Sequence, residues 1–217
     1  MLSKLLVLLF AAHSFGVTFN SYDSAGYYLP SSGTASTTQF YLGSELSSGT
    51  ACGVDALPNG KSTSGEQGGG PGYLYAAINQ LAFADAGGPG GACGICYQLT
   101  PVSSSGTVLS SQALTFMIVD ECPAAEALSG GYNCDQCNIS EDNVLGQHWN
   151  FDIAIDAMST TQYDTFFKGV TDGSNWLEVQ FEHVSCSSST NPTPSIKSWG
   201  CISGCSNNDA AAVCADV

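Results

Sequence analysis

At 217 residues the chain is long enough for one domain with a substantial core. It carries 19 acidic residues against four basic ones, none of them arginine, for a net charge of −15. Such a chain cannot neutralise phosphates, which argues against nucleic acid and anionic membrane as partners. Acidic polysaccharides such as pectin are disfavoured for the same reason, whereas a neutral polymer carries no such penalty.

The first element is a signal-peptide pattern. Lys4 precedes the apolar run Leu5–Ala12, and small residues follow around Ser14 and Gly16. Cleavage is expected near Gly16–Thr18, making 1–17 the signal and 18–217 one exported domain. Losing Lys4 takes the net charge from −15 to −16. The apolar run is too short to span a bilayer, so a soluble, extracellular monomer is expected. Ten cysteines, all beyond that segment, allow up to five disulfides in an oxidising compartment. Cys93-x-x-Cys96 and Cys134-x-x-Cys137 are therefore read as disulfide cysteines rather than as a zinc or redox site, and neither metal nor cofactor is expected.

Residues 18–37 show no deciding periodicity. Thr38–Tyr41 reads as a short strand, and Gly43–Gly72 as loop. Tyr73–Phe83 is the best helix candidate, with Leu74, Ile78, Leu81 and Ala82 on one face. Cys96–Thr100 alternates, and Ala113–Val119 is a continuous apolar run of the buried-strand kind. In Asn150–Ile155, Phe151, Ile153 and Ile155 oppose Asp152 and Ala154. That alternation sends Asp152 away from the core, toward a groove or solvent. Trp176–Val184 alternates too, and the tail 187–217 is pinned by three cysteines, Cys201, Cys205 and Cys214. Short strands, one helix and long loops point to a mainly β, barrel-like domain. No linker leads to a separate carbohydrate-binding module. Asn138-Ile-Ser140 is a glycosylation sequon and marks an exposed loop.

Two carboxylates stand out. Asp120 lies in Phe116-Met-Ile-Val-Asp-Glu-Cys-Pro123 and Asp152 in Trp149-Asn-Phe-Asp-Ile-Ala-Ile155. An acid among β-branched and aromatic residues is costly to bury unless something satisfies or uses it. A pair of them is the minimal kit for cleaving a glycosidic bond.

Four segments follow in order: Tyr75-Ala-Ala-Ile-Asn-Gln-Leu-Ala-Phe83, Gly91-Ala-Cys-Gly-Ile-Cys-Tyr-Gln-Leu-Thr100, Val119-Asp-Glu-Cys-Pro123 and Asn150-Phe-Asp-Ile153. Together they resemble the glycoside hydrolase family 45 endoglucanases, and more closely the fungal branch nearest to expansins, from about Thr37 to Cys205. The resemblance implies a six-stranded double-psi β-barrel crossed by an open groove. It implies an endo-β-1,4-glucanase acting with inversion on cellulose, mixed-linkage glucan or glucomannan. Asp152 falls at the family's general acid, and Asp120 at an aspartate expected to assist it, held by the rigid Cys122-Pro123 turn. Asn150 stands where the family usually has histidine; like histidine it donates a hydrogen bond, and His148 lies two residues earlier. Tyr41 and Trp199 match aromatic residues of the groove. Trp149 joins His148 and Asn150 as a candidate sugar contact without a family counterpart, and Trp176 reads as core.

The base departs from the pattern. Other branches have an acid where this chain has Leu42. The expansin-near branch uses an asparagine after the Cys-Pro, for which Asn133 is the candidate here, with Glu126 and Asp135 as fallbacks. Expansins keep the acid-like aspartate without a base, and loosen polymer without hydrolysis. An expansin-like, cellulose-binding protein is therefore the alternative expectation.

Overall fold

The computed structural model describes residues 19–20, 28–45, 50–52, 74–83, 91–123, 142–143, 145–167 and 177–186. The signal segment, Asn133, Trp199, Trp176, Glu126, Asp135, the sequon and the tail lie outside them.

Six strands close into one ring: β1 (Ser32–Phe40), β2 (Tyr75–Asn79), β3 (Cys96–Pro101), β4 (Leu114–Cys122), β5 (Trp149–Ala154) and β6 (Leu177–Val184). Their order around the barrel is β1-β5-β2-β4-β3-β6, and β6 pairs back onto β1. β1 runs parallel to β5, and β2 parallel to β4; the other pairs are antiparallel. From β1 to β2 the chain skips β5, and from β4 to β5 it skips β2. This is the six-stranded double-psi β-barrel that the family resemblance implied, and closure leaves no strand edge unpaired.

The interior is aromatic. Tyr97 of β3, Phe151 of β5 and Phe181 of β6 meet at ring-centroid distances of 5.3, 5.7 and 5.2 Å. The Tyr97 hydroxyl donates to the Pro30 carbonyl at 2.7 Å, so this buried phenol is satisfied. Leu177, Val179 and Phe181 of β6 are buried as its alternation predicted.

The expected helix differs most from the observed structure. The helix expected over Tyr73–Phe83 is not found: the described residues 74–83 form β2 followed by a single helical turn, α2, at Gln80–Phe83. Every residue of β2 is buried, because β4 and β5 flank it and both of its faces are covered. A short run apolar on all sides has no alternation to betray it, and the helical spacing there was coincidental.

Outside the ring, α1 (Leu42–Glu45) follows β1, and α3 (Thr160–Phe167) follows β5. α3 docks through Phe166, whose ring lies 5.2 Å from that of Phe116 on β4. Its start is a reciprocal cap: Gln162 N–H donates to Ser159 Oγ at 3.2 Å, and Ser159 N–H donates to Gln162 Oε1 at 2.8 Å. Cys52 bonds to Cys93 and Cys96 to Cys186, while Cys122 is also disulfide-bonded. The two halves of Cys93-x-x-Cys96 thus go to different partners, as structural staples do. Closing loops of 41 and 90 residues stabilises the fold by about 4–5 kcal/mol each on the chain-entropy model.

Candidate active site

The barrel lines up Thr38, Asp152, Ala77 and Asp120 as one row across four neighbouring strands. Thr38 of β1 opposes Asp152 of β5, Asp152 opposes Ala77 of β2, and Ala77 opposes Asp120 of β4. Partners in register share a face, and this face is the outer one, since Phe151 and Ile153 on either side of Asp152 are fully buried inside. The two aspartates are therefore separated by one strand, about 9–10 Å between backbones at the usual strand spacing.

Asp120 reaches this row through a bulge. Ile118 pairs with Ala76, but Asp120, not Val119, pairs with Ala77. Without that extra residue Asp120 would oppose Ile78 and turn into the core, because a one-residue slip exchanges faces.

Asp152 is partly buried as a residue, yet its Oδ1 is out of reach of solvent and has no hydrogen-bond partner. Its carboxyl is pushed up from 3.8 to about 6. Burial is the main cause, and the negative charge of Asp120 adds to it; a hydrogen bond from Thr38 works the other way. Asp120 has a different environment. Its Oδ1 accepts the backbone N–H of Ala51 at 2.7 Å and of Glu121 at 2.9 Å. It thereby ties the 50–52 turn to β4, and the Cys52–Cys93 bond anchors the same turn.

A second outer row lies beside the first: Ser36, Asn150, Asn79 and Cys122. Ser36, Asn150 and Asn79 are fully buried. Asn150 was expected among the sugar contacts; with no exposed surface it instead bonds to protein neighbours on three sides. Ser36, Thr38, Asn79 and Asn143 are the residues that sequence reasoning missed. Each is an ordinary strand or loop polar residue until barrel closure puts Thr38 beside Asp152, Ser36 and Asn79 on Asn150, and Asn143 on Ser36.

The other expected contacts disperse. Tyr41 is 53% exposed, between β1 and α1. Trp149 packs on the edge of the core, on the face of β5 opposite to Asp152, stacked on Tyr28 at 5.7 Å and meeting His148 edge-on at 4.5 Å. His148 pairs with Asp142 at 3.6 Å. Leu42, where other branches carry the base, is fully buried, and its N–H donates to Asp156. A concavity of about 740 Å³ lies on the far side of the ring, over β1, β6 and β3. Its lining includes Thr34, Gln98, Thr100 and Gln180, with Glu182 as the one acid among the described residues, so the carboxylate pair lies elsewhere. Among the described residues no group of three or more His, Cys, Asp and Glu is placed to hold a metal ion, and no helix is long and apolar enough to cross a membrane.

Residues 35–191 match the family model described as EXPB1-like domain 1. Endoglucanase-5 of Hypocrea jecorina is 30% identical over 175 residues, which is 76% of this chain and 60% of that protein. The chain thus spans 60% of the length of that curated relative. Two crystal structures of the GH45 endoglucanase EG27II in complex with cellobiose, one of a mutant and one at pH 8.0, align at 20% and 21% identity. They cover 76% and 77% of this chain and 88% and 89% of theirs, with TM-scores of 0.44 and 0.41.

Proposed function

Starting from a chain that belongs to the EXPB1-like domain 1 family and is related to the family 45 endoglucanases, we propose a secreted endo-β-1,4-glucanase. It cuts internal bonds of cellulose or a related β-glucan with inversion. Asp152 is the general acid and Asp120 its electrostatic assistant.

The observation that carries this reading is the state of Asp152. Its carboxyl is held near 6, so it keeps its proton in mildly acidic solution, and its Oδ1 is bare. A general acid must hold a proton at working pH, and burial with no donor on Oδ1 is what keeps that proton on the carboxyl. Asp120 supplies part of the upward push, and the Ala51 and Glu121 N–H groups that donate to its Oδ1 fix it in place. Excess negative charge with no arginine suits a neutral glucan. Disulfides fit an exported protein.

Inversion also demands a group that activates water, roughly 6.5–9.5 Å from the acid. Asn133 is the proposed base. The test is release of reducing ends from barley β-glucan and carboxymethylcellulose, with the anomer of the fresh product followed by NMR. Release of α-configured ends supports the reading, and β-configured ends would overturn inversion.

A second reading is favoured by the burial of Leu42 at the position of the missing acid. A barrel with an acid and no base would bind and loosen cellulose without cutting it. No reducing sugar, together with weakened cellulose paper, would establish that outcome.

A further inference from the structure

The polar row behind Asp152 is a chain of hydrogen bonds in which every link has one direction. It begins at Asn143, whose Oδ1 accepts the N–H groups of Leu145 at 3.0 Å and Gln147 at 3.1 Å. With its oxygen so used, the Asn143 Nδ2 faces Ser36 and donates to its Oγ at 2.8 Å. Ser36 has one hydrogen to give, and of its two acceptors the Asn150 Oδ1 at 2.8 Å is much nearer than the Trp149 carbonyl at 3.4 Å. That fixes the Asn150 amide the other way round: its Nδ2 donates to Thr38 Oγ1 at 3.0 Å. Thr38, already accepting, turns its single hydrogen onto the Asp152 carboxylate. The backbone of Asn150 is held as well, its N–H reaching Asn79 Oδ1 at 3.3 Å.

We propose that Asn150 is the positioning residue of Asp152: acting through Thr38, which lies in register with Asp152 on the neighbouring strand, it holds the Asp152 carboxyl in one orientation. This deepens the reading of Asp152 as general acid and rests on it. A donor on the carboxylate favours the charged form, which partly opposes the push from burial.

Among the described residues few other charges bear on Asp152. β1 contributes no titratable side chain, β2 only Tyr75, and β4 contributes Asp120 and Glu121, of which Asp120 acts on Asp152. Asp142 and His148, before β5, pair with each other.

The experiment reads the Asp152 carboxyl directly, by carbon-detected NMR titration of the full-length protein, with the signal assigned through its loss in Asp152→Asn. In Asn150→Leu, close to isosteric but without an amide, Thr38 is free to turn away. The Asp152 midpoint should then rise by about one pH unit. Ser36→Ala cuts the chain one link earlier and should move it the same way by less. The double variant should move it no further than Asn150→Leu alone, since the residues form one series. With β-glucan, kcat should fall about tenfold with KM unchanged, and its alkaline limb should follow the NMR midpoint upward. A folded Asn150→Leu or Ser36→Ala protein with the Asp152 midpoint unmoved would overturn the inference. A shifted midpoint in a protein that hydrolyses no glucan would support the hydrogen-bond chain while removing the acid reading on which its catalytic role depends.

Discussion

Asp152 and Asp156 lie four residues apart at the end of β5, and both carboxylates are withdrawn from water, yet their surroundings are opposite. Asp156 is 2% exposed and gives its two oxygens to the chain: Leu42 N–H donates to Oδ1 at 2.9 Å and Gly43 N–H to Oδ2 at 2.8 Å. It fastens the start of α1 to the barrel. Asp152 lies against Ala77 with one oxygen bonded by Thr38 and the other bare. Burial alone is therefore no mark of a reactive acid. What separates the two is whether the lone pairs are used, because an unsatisfied buried carboxylate pays for desolvation with nothing in return.

The largest effect that would break this contrast is on rate. Asp152→Asn should lower hydrolysis by at least roughly 10²–10⁴-fold, and it should also stabilise the protein at pH 7. The sign follows from linkage. The folded-state value of about 6 lies above the ordinary 3.8, so the contribution of Asp152 is fully present below 3.8 and lost as pH rises through about 6. That loss amounts to about 3 kcal/mol, and the asparagine variant escapes it. Melting compared at pH 4 and pH 7 should show the gain at pH 7 only. Near-parental activity, or a variant less stable at pH 7, would make Asp152 another Asp156.

Asp156→Ala should do the reverse, costing about 2–4 kcal/mol for two charge-assisted bonds and leaving the pH dependence of hydrolysis alone. Denaturant midpoints measure the first, and a displaced pH limb would contradict the second.

Asp120→Asn sharpens the contrast further. Asparagine keeps an oxygen for the Ala51 and Glu121 N–H groups but removes the charge that helps raise Asp152. We expect a rate loss smaller than for Asp152→Asn, with the alkaline limb moved to lower pH. An unmoved limb would leave Asp120 as a clamp for the 50–52 turn and nothing more.

The smallest effect is at Tyr41, which follows β1 just before the residues that Asp156 holds. At 53% exposure, Tyr41→Ala should alter stability by no more than about 0.5 kcal/mol. KM on long glucans should rise a few-fold, and an unchanged KM would remove it from the substrate path.

The legible parts of the fold were those with a one-sided pattern. β5 and β6 alternate because one face meets the core, and that same alternation put Asp152 on the outer face. β2 was misread because both its faces are covered, which erases the period. α3 passed unnoticed although Ser159-Thr-Thr-Gln162 is a capping box, since its short run has only Phe166 and Phe167 buried. In the site, the outward position of Asp152 was legible and the polar residues around it were not: Ser36 and Thr38 come from β1, Asn79 from β2 and Asn143 from a loop, 71 or more positions from Asn150 except the last.

By itself the amino-acid order determined the chemical inventory: an acidic, cysteine-rich chain without arginine, strands enough for a barrel, and an aspartate projected outward from β5 by period-two geometry. The tertiary structure alone decided what that aspartate is. Closing the ring set Thr38 beside it, and a one-residue bulge in β4 turned Asp120 onto the same face. Burial then raised its carboxyl to about 6. Desolvation, register and the direction of a hydrogen bond are properties of neighbours in space, and strand partners far apart in the chain leave no local trace of them.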